Sequence, residues 1–167
     1  MMKPVRVVMS LLLLVVATTA VAVESDAQKS FDKLKTLAGS WQGKTSDGQP
    51  VDVSFRVTSG GSALMSEIMG KEDMVSMFHL DGDRLLLTHY CGAGNQPRMK
   101  ATASLDGKML TFDFLDATNL ASPQAGHMQR VIFTFPDADH HTEEWFFVQE
   151  GKEAGHERFN LERKKPI

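Results

Sequence analysis

Val51, Val53, Phe55 and Val57 are apolar, and the residues between them, Asp52, Ser54 and Arg56, are polar. A period of two lays the apolar set along one face of a strand and cannot do so on a helix. Similar apolar runs follow to the end of the chain. They are separated by Asp47-Gly48, Ser59-Gly60-Gly61, Gly70-Lys71-Glu72-Asp73, Asp81-Gly82-Asp83, Asp106-Gly107, Asp137-Ala138-Asp139 and Gly151-Lys152. Turn-forming residues between strand-like runs are the hairpin signal. The spacing predicts about ten strands, over 41–46, 50–58, 62–69, 74–80, 84–91, 98–105, 109–116, 127–135, 141–149 and 156–164. Short hairpins in chain order imply up-and-down antiparallel pairing, and a sheet this long tends to curl and close, which removes its edges. The expected fold is all-β, a single up-and-down antiparallel β-barrel. Ala117 to Gly126 is the one longer connection, with Asn119-Leu120 and Pro123 suggesting a turn or lid.

One stretch breaks the period. From Ser25 to Ala38, Phe31, Leu34 and Leu37 fall at i, i+3 and i+6, which predicts a short N-terminal helix with Ser30 as its cap and Gly39 as its stop. Ahead of it, Lys3 and Arg6 precede an apolar run from Val7 to Ala17, and Ala20-Val21-Ala22 is a small-x-small site. Residues 1–22 therefore read as a signal peptide cleaved near Ala22, with 23–167 as one barrel domain that is periplasmic or secreted. The apolar run is shorter than the ~20 residues that span a bilayer, so no membrane span is expected after cleavage.

The leader carries two of the 18 basic residues and none of the 21 acidic ones, so the domain's formal charge becomes −5. That balance argues against nucleic acid or an anionic membrane surface as a partner, since both select basic faces. Cys91 is the single cysteine, so no internal disulfide is possible and the fold must stand on its core.

The stretch "LKTLAGSWQGK", a short helix running into Gly39, Trp41 and Gly43, resembles the opening of the calycin superfamily: lipocalins, fatty-acid-binding proteins and, by its W-x-G, nitrobindins. The later "HLDGDRLLLTHYCGAGNQPRM" is similar to a group of uncharacterised bacterial secreted lipocalin-like proteins. The T-D-Y motif of lipocalins in the narrow sense is absent. The resemblance implies a helix closing one end of a barrel, a tryptophan packed under it, and a basic residue of the last strand across the indole. "FNLERK" puts Phe159, Leu161 and Arg163 on one strand face, which makes Arg163 the partner for Trp41. Nitrobindins hold haem through a last-strand histidine, and His156 stands in a comparable position.

A barrel of this size can enclose one small ligand faced by alternate residues. If Leu85 and Leu87 point inward so does His89, but Leu85-Leu86-Leu87 is apolar on both faces and leaves open whether His89 or Tyr90 is inside. Glu67 and Arg130 interrupt apolar strands. With His89, Arg98 and His127 they are the candidate pocket residues, able to orient the polar end of a ligand if they face inward. Cys91 lies about 7 Å along the strand from His89, too far for a direct thiol–imidazole pair, and reads as a small buried hydrophobe. In "HHTEE", His141 and Glu143 share a face, but two ligands leave a zinc site incomplete, and the segment reads as a solvated turn entering a strand. The glycines after Cys91 match no phosphate loop.

These features point to a non-enzymatic barrel, without a cofactor, that binds a small, mainly hydrophobic molecule. Two alternatives stand beside it: a haem-binding barrel with His156, or less readily His89, as axial ligand, and a barrel with a filled interior acting as a structural or interaction module. No residue spacing demands catalysis, although His89 with an inward Glu or Arg could serve acid–base chemistry.

Overall fold

A computed structural model describes residues 24–70 and 72–165; the leader and its cleavage site lie outside the described residues. Helix α1 spans Asp26–Lys35. Its cap is Ser25, whose Oγ accepts from Gln28 N at 3.1 Å, and Ser30, expected in that role, is instead buried inside the helix. The helix begins earlier because Asp26 favours the first turn and Ser25 supplies the acceptor that its free N–H groups need. Phe31, Leu34 and Leu37 are buried.

Ten strands follow: β1 Gly39–Lys44, β2 Pro50–Thr58, β3 Ala63–Met69, β4 Met74–Asp81, β5 Arg84–Tyr90, β6 Gln96–Ala103, β7 Met109–Thr118, β8 His127–Thr134, β9 His140–Gln149 and β10 Lys152–Arg163. Each pairs antiparallel with the next, and β10 pairs with β1, so the sheet is a closed barrel. Gly48, Gly82, Gly107 and Gly151 turn four of the hairpins at positive φ, where a side chain would be strained. Register shifts at Arg98/Met99, Met128/Arg130 and Glu153/Gly155 bend the sheet as it closes.

The alternation sets the inner face. Val51, Val53, Phe55, Leu64, Ile68, Phe78, Leu87, Met99, Phe112, Val131, Phe133 and Trp145 are buried there. Phe78, Phe112 and Phe133 meet edge to face at centroid distances of 5.5 to 6.0 Å, Phe55 packs on Phe133 at 6.5 Å, and Trp145 joins them. Such contacts favour a fixed arrangement of rings by about 0.5–1.5 kcal/mol each beyond burial. The middle of the barrel is thus filled by side chains.

The helix plugs the end where β1 begins. Trp41 Nε1 donates to the Leu37 carbonyl at 2.7 Å, and the Arg163 guanidinium lies over the indole at 4.2 Å. Arg163 also donates to the Thr36 and Ala38 carbonyls at 2.8 and 2.9 Å, satisfying acceptors at the helix end. Gly39, at φ +126°, lets that guanidinium pass close by, and at Gly43 a Cβ would collide with the Asn160 carbonyl of β10.

Candidate functional site

The end opposite the helix is the barrel mouth. Asn95 Nδ2 donates to the Gly126 carbonyl at 2.8 Å and Asn119 Nδ2 to the Gly94 carbonyl at 2.6 Å, so the β5–β6 and β7–β8 loops are clasped together across one half of it. On the other half lies a cavity of about 340 Å³. Val51, Ile68, Met74 and Phe159 form its apolar wall, and Asp47, Glu72 and Glu157 are the ionisable residues among its lining. Phe159 pairs with Glu143 across β9–β10, and Glu157 with Trp145, which places a buried polar group directly beneath this wall.

That group runs through the inner face of four strands. The Glu143 carboxylate, 0% exposed, accepts from Trp145 Nε1 at 3.0 Å and lies 3.2 Å from His141 Nε2. His141 packs edge-on against Trp41 at 4.2 Å. On the far side Trp145 meets the His89 ring at 4.7 Å, and His89 Nδ1 is 2.9 Å from Ser76 Oγ. His89 is also 0% exposed, and burial holds its imidazole pKa down at about 4, so the ring is neutral at ordinary pH. The segment expected to be a solvated turn therefore enters the core instead: parity with the inward Trp145 carries Glu143 and His141 inside. That parity was the available signal, hidden by the polar look of "HHTEE".

His89 is the inward residue of its pair and Tyr90, half exposed, the outward one. Of the other pocket candidates, His127 is buried, its ring 4.4 Å from Phe114 and its Nδ1 donating to the Ala125 carbonyl at 2.8 Å. Glu67, Arg98 and Arg130 are not brought to the interior. Glu67 accepts from Ser54 Oγ at 3.3 Å. Arg98 pairs with Asp116 and Arg130 with Asp113 across neighbouring strands, all four about half exposed. The guanidinium of Arg98 lowers the Asp116 pKa below the usual carboxylate range. The expected floor of several inward charges thus reduces to His89 and His127, with Glu143 and His141 added.

His156 lies on the outer face, stacked on Phe146 at 4.4 Å with its Nε2 3.4 Å from Glu144. That position does not fit an axial ligand to a porphyrin held inside the barrel. Among the described residues no group of three or more His, Cys, Asp or Glu is placed to hold a metal ion. Burial, with the Glu72 charge adding to it, pushes the Cys91 thiol pKa upward, away from a reactive thiolate. A larger groove of about 660 Å³ sits at the helix end, walled by α1 and the β6–β7 turn and including Lys29, Lys33, Lys100, Asp26 and Asp83. Its lining mixes lysines with acidic residues, whereas at the mouth an apolar wall meets acidic groups alone.

Fold and site together define a closed ten-stranded antiparallel barrel, plugged by a helix at one end and cavitied at the other. No protein-family model matches the sequence, and no curated protein does either. Among solved structures it is similar to Rv2717c from M. tuberculosis, at 17% identity and a TM-score of 0.55, covering 81% of this chain and 98% of that one. It is also similar to a protein of unknown function from the DUF3598 family of Nostoc punctiforme, at 12% identity and a TM-score of 0.54, covering 78% of this chain and 49% of that one. At these identities the likeness is one of fold.

Proposed function

We propose that this chain is a calycin-like, secreted or periplasmic barrel that binds a small, mainly hydrophobic molecule at its mouth without transforming it. The observation that carries the reading is the 340 Å³ cavity walled by Val51, Ile68, Met74 and Phe159. Its volume falls at the small end of the ~300–1,000 Å³ of ordinary ligand sites. The filled centre of the barrel supports a ligand seated in the mouth rather than one enclosed along the axis. Catalysis has little support here, because Ser76 and His89 are sealed from solvent and Cys91 is held as a thiol. The leader with Lys3, Arg6 and Ala20-Val21-Ala22 supports export.

Native mass spectrometry of protein purified from its own source tests both parts. The reading expects a mass beginning near Val23 and a bound small molecule that is lost in Ile68→Trp, which fills the cavity. A folded Ile68→Trp variant that keeps the bound mass would remove the mouth as the site.

A further inference from the structure

The ladder between β5 and β6 is short. It runs from Thr88 opposite Arg98, through Leu87 opposite Met99, to Leu86 opposite Lys100, and stops there. On its other side β6 stays paired with β7 as far as Ala103 opposite Leu110. The β5–β6 register, carried on by the same count, would set Asp83 against Ala103, but β5 begins only at Arg84 and Asp83 belongs to the turn before it. Ser104 N donates to the Met109 carbonyl at 2.9 Å. Successive residues of a strand direct their N–H and C=O groups to opposite sides, so Ala103 turns its own toward the side where β5 has ended. Among the described residues the end of β6 is therefore an open edge, although the barrel as a whole is closed.

The groove of about 660 Å³ at the helix end lies along this edge, with Ala101 and Ala103 in its lining. Leu85 and Leu110 add apolar surface, and Leu105, fully exposed on the β6–β7 turn, adds more at the rim. The ionisable residues of the lining are Lys29, Lys33, Lys100, Asp26 and Asp83. Asp26 is already held by Lys29 at 3.0 Å, so Lys33 and Lys100 face the single carboxylate of Asp83. Lys33 Nζ rests 5.0 Å from the centre of the Phe135 ring, a contact that favours the cation and leaves its hydrogen-bond donors free. In a domain of formal charge −5, a groove with an excess of lysine is the place that draws acidic groups, and the mouth, with Asp47, Glu72 and Glu157, repels them.

Each feature selects one part of a partner. The open edge asks for a donor and an acceptor side by side, which a peptide backbone supplies when it adds to a sheet as a further strand. The leucines ask for an apolar side chain, and the lysines for carboxylates. A simple anionic amphiphile would satisfy the last two and leave the N–H and C=O of Ala103 unused.

We propose that this groove takes a short acidic peptide in extended conformation, which adds to the β6 edge at Ala103, seats an apolar side chain against Leu85 and Leu110, and sets carboxylates beside Lys33 and Lys100. The site is separate from the mouth and does not rest on the small-molecule reading of it.

Titration of the purified protein with acetyl-EVEVE-amide and with its charge-reversed counterpart acetyl-KVKVK-amide, followed by two-dimensional NMR at low ionic strength, tests this. The Ala103 amide signal reports the edge, the Leu85 and Leu110 methyl signals report the groove, and the Ile68 and Met74 methyl signals report the mouth. The acidic peptide should bind roughly tenfold tighter than the basic one and shift Ala103 and both leucines while leaving Ile68 and Met74 in place. N-methylation of the two valine nitrogens, which removes backbone donors, should weaken it about threefold or more. In the double variant Lys33→Gln with Lys100→Glu, the preference for the acidic peptide should fall to within about twofold, and an unchanged preference overturns the inference. So do equal binding of the two peptides, no binding of either, a shift at the lysines without one at Ala103, and a shift confined to Ile68 and Met74, which would move the peptide to the mouth.

Discussion

His89 offers a sharp check on the interior because its burial has a calculable consequence. The imidazole has no solvent contact, and its pKa of about 4 lies below the ordinary 6.5 because burial disfavours the cation. Above pH 6.5 the ring is neutral in both folded and unfolded chains, and its contribution is complete. Between pH 6.5 and 4 the unfolded chain binds a proton that the folded chain refuses, so stability falls as pH falls, by about 1.4 kcal/mol per unit. Across the window the loss is about 3 kcal/mol, and below pH 4 this group adds nothing more. Other titrating groups contribute their own slopes, and a variant that cannot titrate at this position subtracts them. His89→Gln keeps a polar partner for Ser76. Urea unfolding, followed by the fluorescence of Trp41 and Trp145 at pH 7, 6, 5 and 4.5, should show the wild-type chain losing stability more steeply than the variant. The difference should be of the order of 1 kcal/mol per unit. Parallel slopes would mean that His89 accepts its proton in the folded chain, and the sealed, neutral imidazole would be refuted.

Glu143→Ala strands two buried donors and should cost about 2–5 kcal/mol in urea unfolding, whereas Glu143→Gln, which keeps an acceptor for Trp145, should recover most of that. Arg163→Met removes the guanidinium from Trp41 and from the Thr36 and Ala38 carbonyls. It should cost about 2–4 kcal/mol and loosen the helix, which hydrogen exchange at Phe31 and Leu34 would detect. Gly43→Ala drives a Cβ into the Asn160 carbonyl, and because that atom belongs to the closing β1–β10 pair the expected loss is about 3 kcal/mol in thermal unfolding. Cys91 should alkylate more slowly than a free cysteine at pH 8, as expected for a half-buried thiol whose pKa is raised; equal rates in the folded protein would contradict that assignment.

The fold was legible because its signals are local. Gly48, Gly82, Gly107 and Gly151 occupy positive φ at turns that the sequence marks with glycine, and β2 runs over the residues whose alternation announces it. The site was less legible because its signals are pairwise. Nothing near Arg98 or Arg130 in the chain says that Asp116 and Asp113 stand opposite them, and that knowledge needs the register, which shifts beside both arginines. Leu85-Leu86-Leu87 hides the parity of His89 because Leu86, outside the barrel, is itself buried. Glu143 is hidden for the opposite reason, since a carboxylate in a polar run looks solvated until Trp145 fixes which way the strand faces.

The same distinction explains where this barrel keeps open space. The strands face large rings toward one another, so the middle closes on itself, and Phe31, Leu34 and Leu37 close the helix end. At the mouth, Asn95 and Asn119 tie two loops over one half and leave the other half to short turns that carry no ring large enough to fill it. Under the proposed reading, selectivity would be set by the hairpin tips around Asp47 and Glu72, and exchanging those tips should change what the mouth takes while leaving the barrel core unchanged.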